Sequence, residues 1–141
     1  MKRALLLAAL VAVPAAAETA PLTLQTGQWY RIFSPDVERA IGRSVRVDAA
    51  SVGPGGLGRQ FRQVGVLLRK EGTYPKGTAI YARRSVNCQG GLKLTYEWSA
   101  VTPAGVAIGG QTYATPRVEK IHWDSQDGKV LRFVCQGILP R

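Results

Sequence analysis

Between Ala79 and Trp98 the chain alternates its side chains through two runs and interrupts them once, at Gln89-Gly90-Gly91, so the stretch reads as a β-hairpin. In the first run Ile80, Ala82, Arg84, Val86 and Cys88 share one face, while Tyr81, Arg83, Ser85 and Asn87 share the other. In the second run Leu92, Leu94, Tyr96 and Trp98 read as an apolar stripe, with Lys93, Thr95, Glu97 and Ser99 outside. Cys88 points with Val86 toward the core. Arg84 is the exception on that face, and it calls for a sheet margin or an acidic partner. The other cysteine, Cys135, follows 47 positions later inside an apolar run.

The N-terminus sets the redox environment of that pair. Lys2 and Arg3 precede an apolar segment from Ala4 to Val13, then Pro14 and the small residues Ala15-Ala16-Ala17. This order predicts a secretory signal peptide over 1–17, cleaved after Ala17, and a periplasmic or secreted product. The apolar segment is shorter than the roughly 20 residues a membrane span needs. Glu18 rather than cysteine stands directly after the cleavage site, so no lipid anchor is expected. In an oxidising compartment two cysteines most economically form one disulfide, Cys88–Cys135. In the chain-entropy view, closing such a loop contributes about 4 kcal/mol.

Residues 18–28 read as a flexible lead-in, and 29–141 as a single domain. Trp29 to Ile32 is a short strand candidate. Ser34-Pro35-Asp36-Val37-Glu38 starts one or two helical turns, or a loop, stopped by Gly42. Ser44 to Asp48 alternates as a half-buried strand does. Gly53 to Gly58 reads as a turn; it lacks the Gly-Lys-Ser/Thr ending of a phosphate-binding loop. Gln60 to Leu68 is a long strand, Lys70 to Gly77 a polar turn, and Val106 to Tyr113 the last strand. After Pro116 the period changes: Ser125 caps a helix carrying Val130, Leu131, Val134 and Cys135, and Gly137 ends it. The fold class expected is α+β, an antiparallel β-sheet of about six strands with a C-terminal α-helix tethered by the disulfide.

Several of these landmarks together resemble the surface-adhesin protein E family of exported bacterial proteins. They are the Trp29 strand, Val45-Arg46-Val47-Asp48 with Ser51, Asn87-Cys88 at a strand end, and Tyr96. Trp123 and Ser125 ahead of Val130-Leu131-Arg132-Phe133-Val134-Cys135 complete the set. The resemblance spans roughly Gly27 to Cys135. It implies a sheet with its C-terminal helix held by Cys88–Cys135, leaves room for a homodimer, and implies binding to extracellular-matrix glycoproteins for the namesake adhesin. The chain departs from the family in having Asn87 where many members have aspartate, and in lacking the lipid-attachment cysteine.

The sequence carries a formal net charge of +10, and losing Lys2 and Arg3 with the signal brings it to +8; arginine supplies 13 of the 19 cations. Such a charge draws a protein toward anionic surfaces. In an exported protein these are lipopolysaccharide, acidic glycans or acidic proteins rather than nucleic acid. The candidate contact residues are Arg62, Arg69, Lys70, Lys76 and Arg83, which fall in two adjacent strand candidates and their connection. The same cations also serve as a solvated face that discourages edge-to-edge aggregation. His122 is the only histidine, and no carboxylates are spaced as an acid–base couple, so no catalytic, metal or cofactor site is expected. A non-enzymatic binding domain is therefore the leading expectation. A structural periplasmic accessory with incidental charge comes second, and a small envelope hydrolase third.

Overall fold

The computed structural model of the protein describes residues 27–137 and 139. The signal peptide read at 1–17, and all of the lead-in except Gly27 and Gln28, lie outside the described residues. Six strands follow one another across a single antiparallel sheet in chain order. They are β1 (Trp29–Arg31), β2 (Arg43–Gly55), β3 (Gly58–Leu67), β4 (Ala79–Asn87), β5 (Leu92–Val101) and β6 (Ala107–Thr112). A two-residue strand, β7 (Glu119–Lys120), continues the β6 side of the sheet against the start of β5. Helix α1 (Pro35–Ile41) links β1 to β2, and α2 (Gln126–Gln136) follows β7. This is the expected α+β arrangement, with the helix tethered to the sheet by Cys88–Cys135 (Cα–Cα 5.8 Å).

Local chemistry explains both helices. Ser34 caps α1 with Pro35 in its first turn, and Gly42 closes it at φ 80°, a left-handed conformation that glycine adopts without strain. Ser125 caps α2 by accepting the Gly128 N–H at 2.9 Å, and Gly137 ends it at φ 70°. Gly128 is buried against the backbone of His122 and Trp123, where a Cβ would collide with the His122 carbonyl. The absence of a side chain there lets α2 approach so closely.

α2 covers one face of the sheet. Its Val130, Leu131 and Val134 are buried against Val47 of β2, Phe61 of β3 and Val86 of β4, with Ile32, Phe33 and Ile121 closing the margins. Each such side chain contributes roughly 1.5–3 kcal/mol on burial. The helix has no basic residue in its last turn. Arg59, from β3, supplies the missing donor and reaches the carbonyls of Val134 and Cys135 at 2.8 and 3.3 Å. At the other end Arg84, 6% exposed, donates to Asp127 of α2 through Nη1 at 2.7 Å and Nη2 at 2.9 Å. Lys93 Nζ donates to the same carboxylate at 2.7 Å. The arginine on the core face thus has its acid. Burial alone would push the Asp127 carboxyl up; hydrogen bonds and charge from Arg84, then Lys93, outweigh it and hold the carboxyl at about 2.

Two sequence expectations are corrected. β2 does not stop at Asp48 but runs to Gly55, because Gly53 and Pro54 pair with Gln60 and Arg59 beyond a register shift. The turn shrinks to Gly56-Leu57, which folds over β4 and β5: the Leu57 N–H donates to Ser85 Oγ at 3.1 Å, and Tyr96 Oη donates to it at 3.0 Å. Gly56 sits against that pair, where a Cβ would overlap the Tyr96 hydroxyl. The second correction concerns β5. Arg83 lies opposite Glu97 but Arg84 lies opposite Thr95, so Tyr96 is an inserted residue and the alternation flips there. Leu92, Leu94 and Tyr96 therefore share the face away from α2. Trp98, Thr95 and Lys93 join Arg84 and Cys88 on the α2 face.

Candidate functional site

On the face away from α2 the register lines side chains up in rows. One row reads Trp29, Asp48, Arg62, Arg83, Glu97; the next reads Arg31, Arg46, Val64, Tyr81, Ser99. The first row joins two of the predicted contact residues, Arg62 and Arg83, directly across β3 and β4. Each has an acidic partner one strand further out. Arg62 bridges Asp48, and its side chain is only 14% exposed. Arg83 donates to Glu97 at 3.2 Å and stacks 4.4 Å from the Tyr96 ring centre. Arg69, Lys70 and Lys76 do not join this row. They belong to the connection from β3 to β4, where Lys70 and Lys76 are exposed and Arg69 reaches the Arg39 carbonyl at 3.5 Å.

Asp48 is fully buried and anchors the row. Its Oδ1 accepts the N–H groups of Gln28 and Ala50 at 2.7 and 3.0 Å, and Oδ2 takes Arg62. Ser51 completes the bulge by donating to the Asp48 carbonyl at 2.7 Å and accepting the Arg62 N–H at 2.8 Å. Asp48 thus caps the Ala49-Ala50-Ser51 turn, which is folded into a bulge of β2.

The second row forms a groove of about 630 Å³ between β1, α1 and the middle of the sheet. Val64, Val66 and Tyr81 make its floor, and Trp29 its aromatic wall, packed edge-to-face on Tyr81 with ring centres 6.1 Å apart. Its cations are Arg31, Arg39 and Arg46, all exposed. Arg31 and Arg46 lie directly opposite each other across β1 and β2, an arrangement that costs stability in a sheet. Glu38, 1% exposed, offsets part of that cost by pairing with Arg31, whose Nε donates to the two carboxylate oxygens at 2.9 and 3.1 Å. Burial pushes the Glu38 carboxyl up; the Arg31 hydrogen bond, Ser44 and the charges of Arg31 and Arg46 reverse this and hold it below its usual value. Arg46 interacts with Glu38 through charge alone, and no described residue hydrogen-bonds its guanidinium. The groove thus presents a cationic mouth over an apolar, aromatic floor.

Counting charges along the chain missed Arg31, Arg39 and Arg46. Arg46 was visible as the polar member of Val45-Arg46-Val47, but its pairing with Arg31 depends on which strand lies at the edge. His122 is exposed, and its carbonyl accepts the Ser125 hydroxyl at 2.6 Å. Asp36, Glu38, Asp48, Glu71, Glu97 and Asp127 each form an ion pair with arginine or lysine. Among the described residues no three His, Cys, Asp or Glu side chains gather as metal ligands. No family model, no curated protein and no solved structure matches the chain.

Proposed function

We propose that this is an exported, non-enzymatic binding domain of the surface-adhesin protein E type, which takes an anionic partner on the sheet face away from α2. The partner is an acidic glycan, lipopolysaccharide included, or a carboxylate-rich protein segment. One observation carries this reading: Arg31 and Arg46 are placed side by side at the mouth of an aromatic-floored groove, against the ordinary preference of a sheet. An arriving anion relieves their repulsion, and Trp29 and Tyr81 supply apolar contact beside it. The basic row Arg62–Arg83 contributes long-range attraction more than direct contact, because both arginines hold acids of their own. The pairing of six acids with arginine or lysine favours binding over acid–base chemistry.

Immobilised heparin tests the reading. Arg39→Glu with Arg46→Glu should elute at clearly lower salt than the parent, whereas Arg69→Glu with Lys76→Glu should shift elution less. Arg31 is left in place because it holds buried Glu38. Equal elution of the groove variant and the parent would sink the groove. Retention on poly-glutamate but not on heparin would identify an acidic protein as the partner.

A structural accessory role, or a homodimer, is a second reading with its own observation. β6 is the free edge of the sheet, Val106 just before it and Ile108 within it are 58% and 39% exposed, and residues 98–116 contain no charged side chain. Two copies of so basic a chain approach each other best along an uncharged edge. Light scattering at high salt should then report a dimer that Ile108→Lys converts to monomer; a parent that is monomeric at about 100 μM removes the homodimer.

A further inference from the structure

A second concavity lies on the α2 face, beyond the N-terminal end of the helix, with a volume of about 500 Å³. It exists because α2 covers only part of the sheet and because Ala82 is small. Ala82 sits in the floor between Gln63 of β3 and Trp98 of β5, its direct neighbours in register. Arg84 and Asp127 close the helix end, and the segment from Tyr113 to Glu119 forms the opposite wall.

Its chemistry differs from that of the groove. The charged lining is balanced: Arg84 and Arg117 against Asp127 and Glu119. Arg84 and Asp127 already neutralise each other, and Lys93 holds the same carboxylate. An anion gains little here, since two carboxylates face it. The backbone of the floor is also spent, because Gln63, Ala82 and Trp98 are paired within the sheet on both sides. An extended peptide, which binds through a free strand edge, therefore finds no ladder to join. What remains is hydrogen bonding by side chains. Gln63 Oε1 accepts from Arg84 Nη1 at 2.7 Å, so what the Gln63 amide has left to offer is its nitrogen, a donor. Thr95, Thr115 and the Tyr113 hydroxyl both donate and accept, and half-buried Trp98 and Tyr113 supply aromatic surface.

We infer that this cleft binds a neutral saccharide. A pyranose ring has an apolar C–H face that packs on an aromatic side chain and a rim of hydroxyls that donate and accept at once. An aromatic pair, uncharged hydrogen-bonding groups and a charge-balanced rim match that ligand and not a net anion. The site is separate from the cationic groove, on the opposite face of the sheet, so either can fail without the other.

The test is an NMR titration of the indole N–H signals of Trp29, Trp98 and Trp123 with chitotriose and with maltotriose, assigned with Trp98→Phe. One of these neutral trisaccharides should shift the Trp98 signal saturably. Thr115→Arg, at an exposed position that leaves the core untouched, should abolish the shift, whereas Arg46→Glu should leave it unchanged. No saturable shift with either sugar up to about 20 mM overturns the inference. So does a shift that survives Thr115→Arg, one that vanishes with Arg46→Glu, or saturation only by the dipeptide alanyl-alanine.

Discussion

Asp48 and Asp127 are both carboxylates set against an arginine, one on each face of the same sheet, yet they are held by different means. Asp48 is completely buried, and two of its donors are backbone N–H groups from its own neighbourhood and from the chain entering β1. It therefore fixes the internal geometry of the sheet, the bulge of β2 and the seat of the edge strand. Asp127 is one-third exposed and held only by side chains, Arg84 and Lys93, reaching from β4 and β5 to a helix. It fastens one element onto another. A carboxylate tied to backbone belongs to the scaffold, and one tied to side chains acts as a clasp.

Breaking the scaffold acid should have the larger effect. Asp48→Ala removes the carboxylate that accepts two backbone N–H groups and bridges Arg62 in a site closed to water, and should cost about 3–5 kcal/mol in urea unfolding. Removing the disulfide by Cys135→Ser should come next, at roughly 2–4 kcal/mol, and an unchanged melting temperature would show that the tether is dispensable. Asp127→Ala should cost less, about 1–3 kcal/mol, since the pair is partly solvated and its energy is discounted accordingly. Cys135→Ser combined with Asp127→Ala sharpens the contrast. Each removes a hold on α2, so their effects should depart from additivity by more than about 0.5 kcal/mol, whereas Asp48→Ala and Cys135→Ser should add.

Acid titration gives the smallest effect and probes the Asp127 clasp. The folded Asp127 carboxyl, at about 2, lies below its ordinary value of 3.8, so its contribution is present above about pH 4 and fades as pH falls toward 2. Glu38 and Glu71 are also held below their usual value and steepen the same limb. Asp127→Ala should flatten the loss of stability between pH 4 and 2 without removing it. An acid limb identical to that of the parent would show that the clasp carries no linkage.

Much of this architecture was legible in the residues, and the exceptions have physical causes. Ser125, Gly137 and the spacing of Val130, Leu131 and Val134 announced α2, because caps and helical period are local properties. Cys88 on the Val86 face placed the tether correctly. The Leu92-to-Trp98 stripe misled because an inserted residue reverses every later side chain, and a period-two reading cannot see an insertion that only the partner strand defines. Pro54 read as part of a turn, yet near a hairpin end its missing N–H does little harm to the ladder. The contact residues were chosen by sign of charge, but Arg62 finds Asp48 and Arg83 finds Glu97 only through strand register. The groove stayed hidden for the same reason, since Arg31 and Arg46 meet only once β1 pairs with β2.

The placement of α2 at the end of the chain also governs the order in which the fold can close. In a chain made N-terminus first, every strand precedes the helix that covers Val47, Phe61 and Val86. Until α2 docks, the sheet carries an uncovered apolar face and Cys88 lacks its bonding partner, a state open to association with other chains. Closure comes with the last helical turn, when Cys135 reaches Cys88 and Arg59 takes the final carbonyls. One turn of helix marks the difference between a sticky intermediate and a finished molecule.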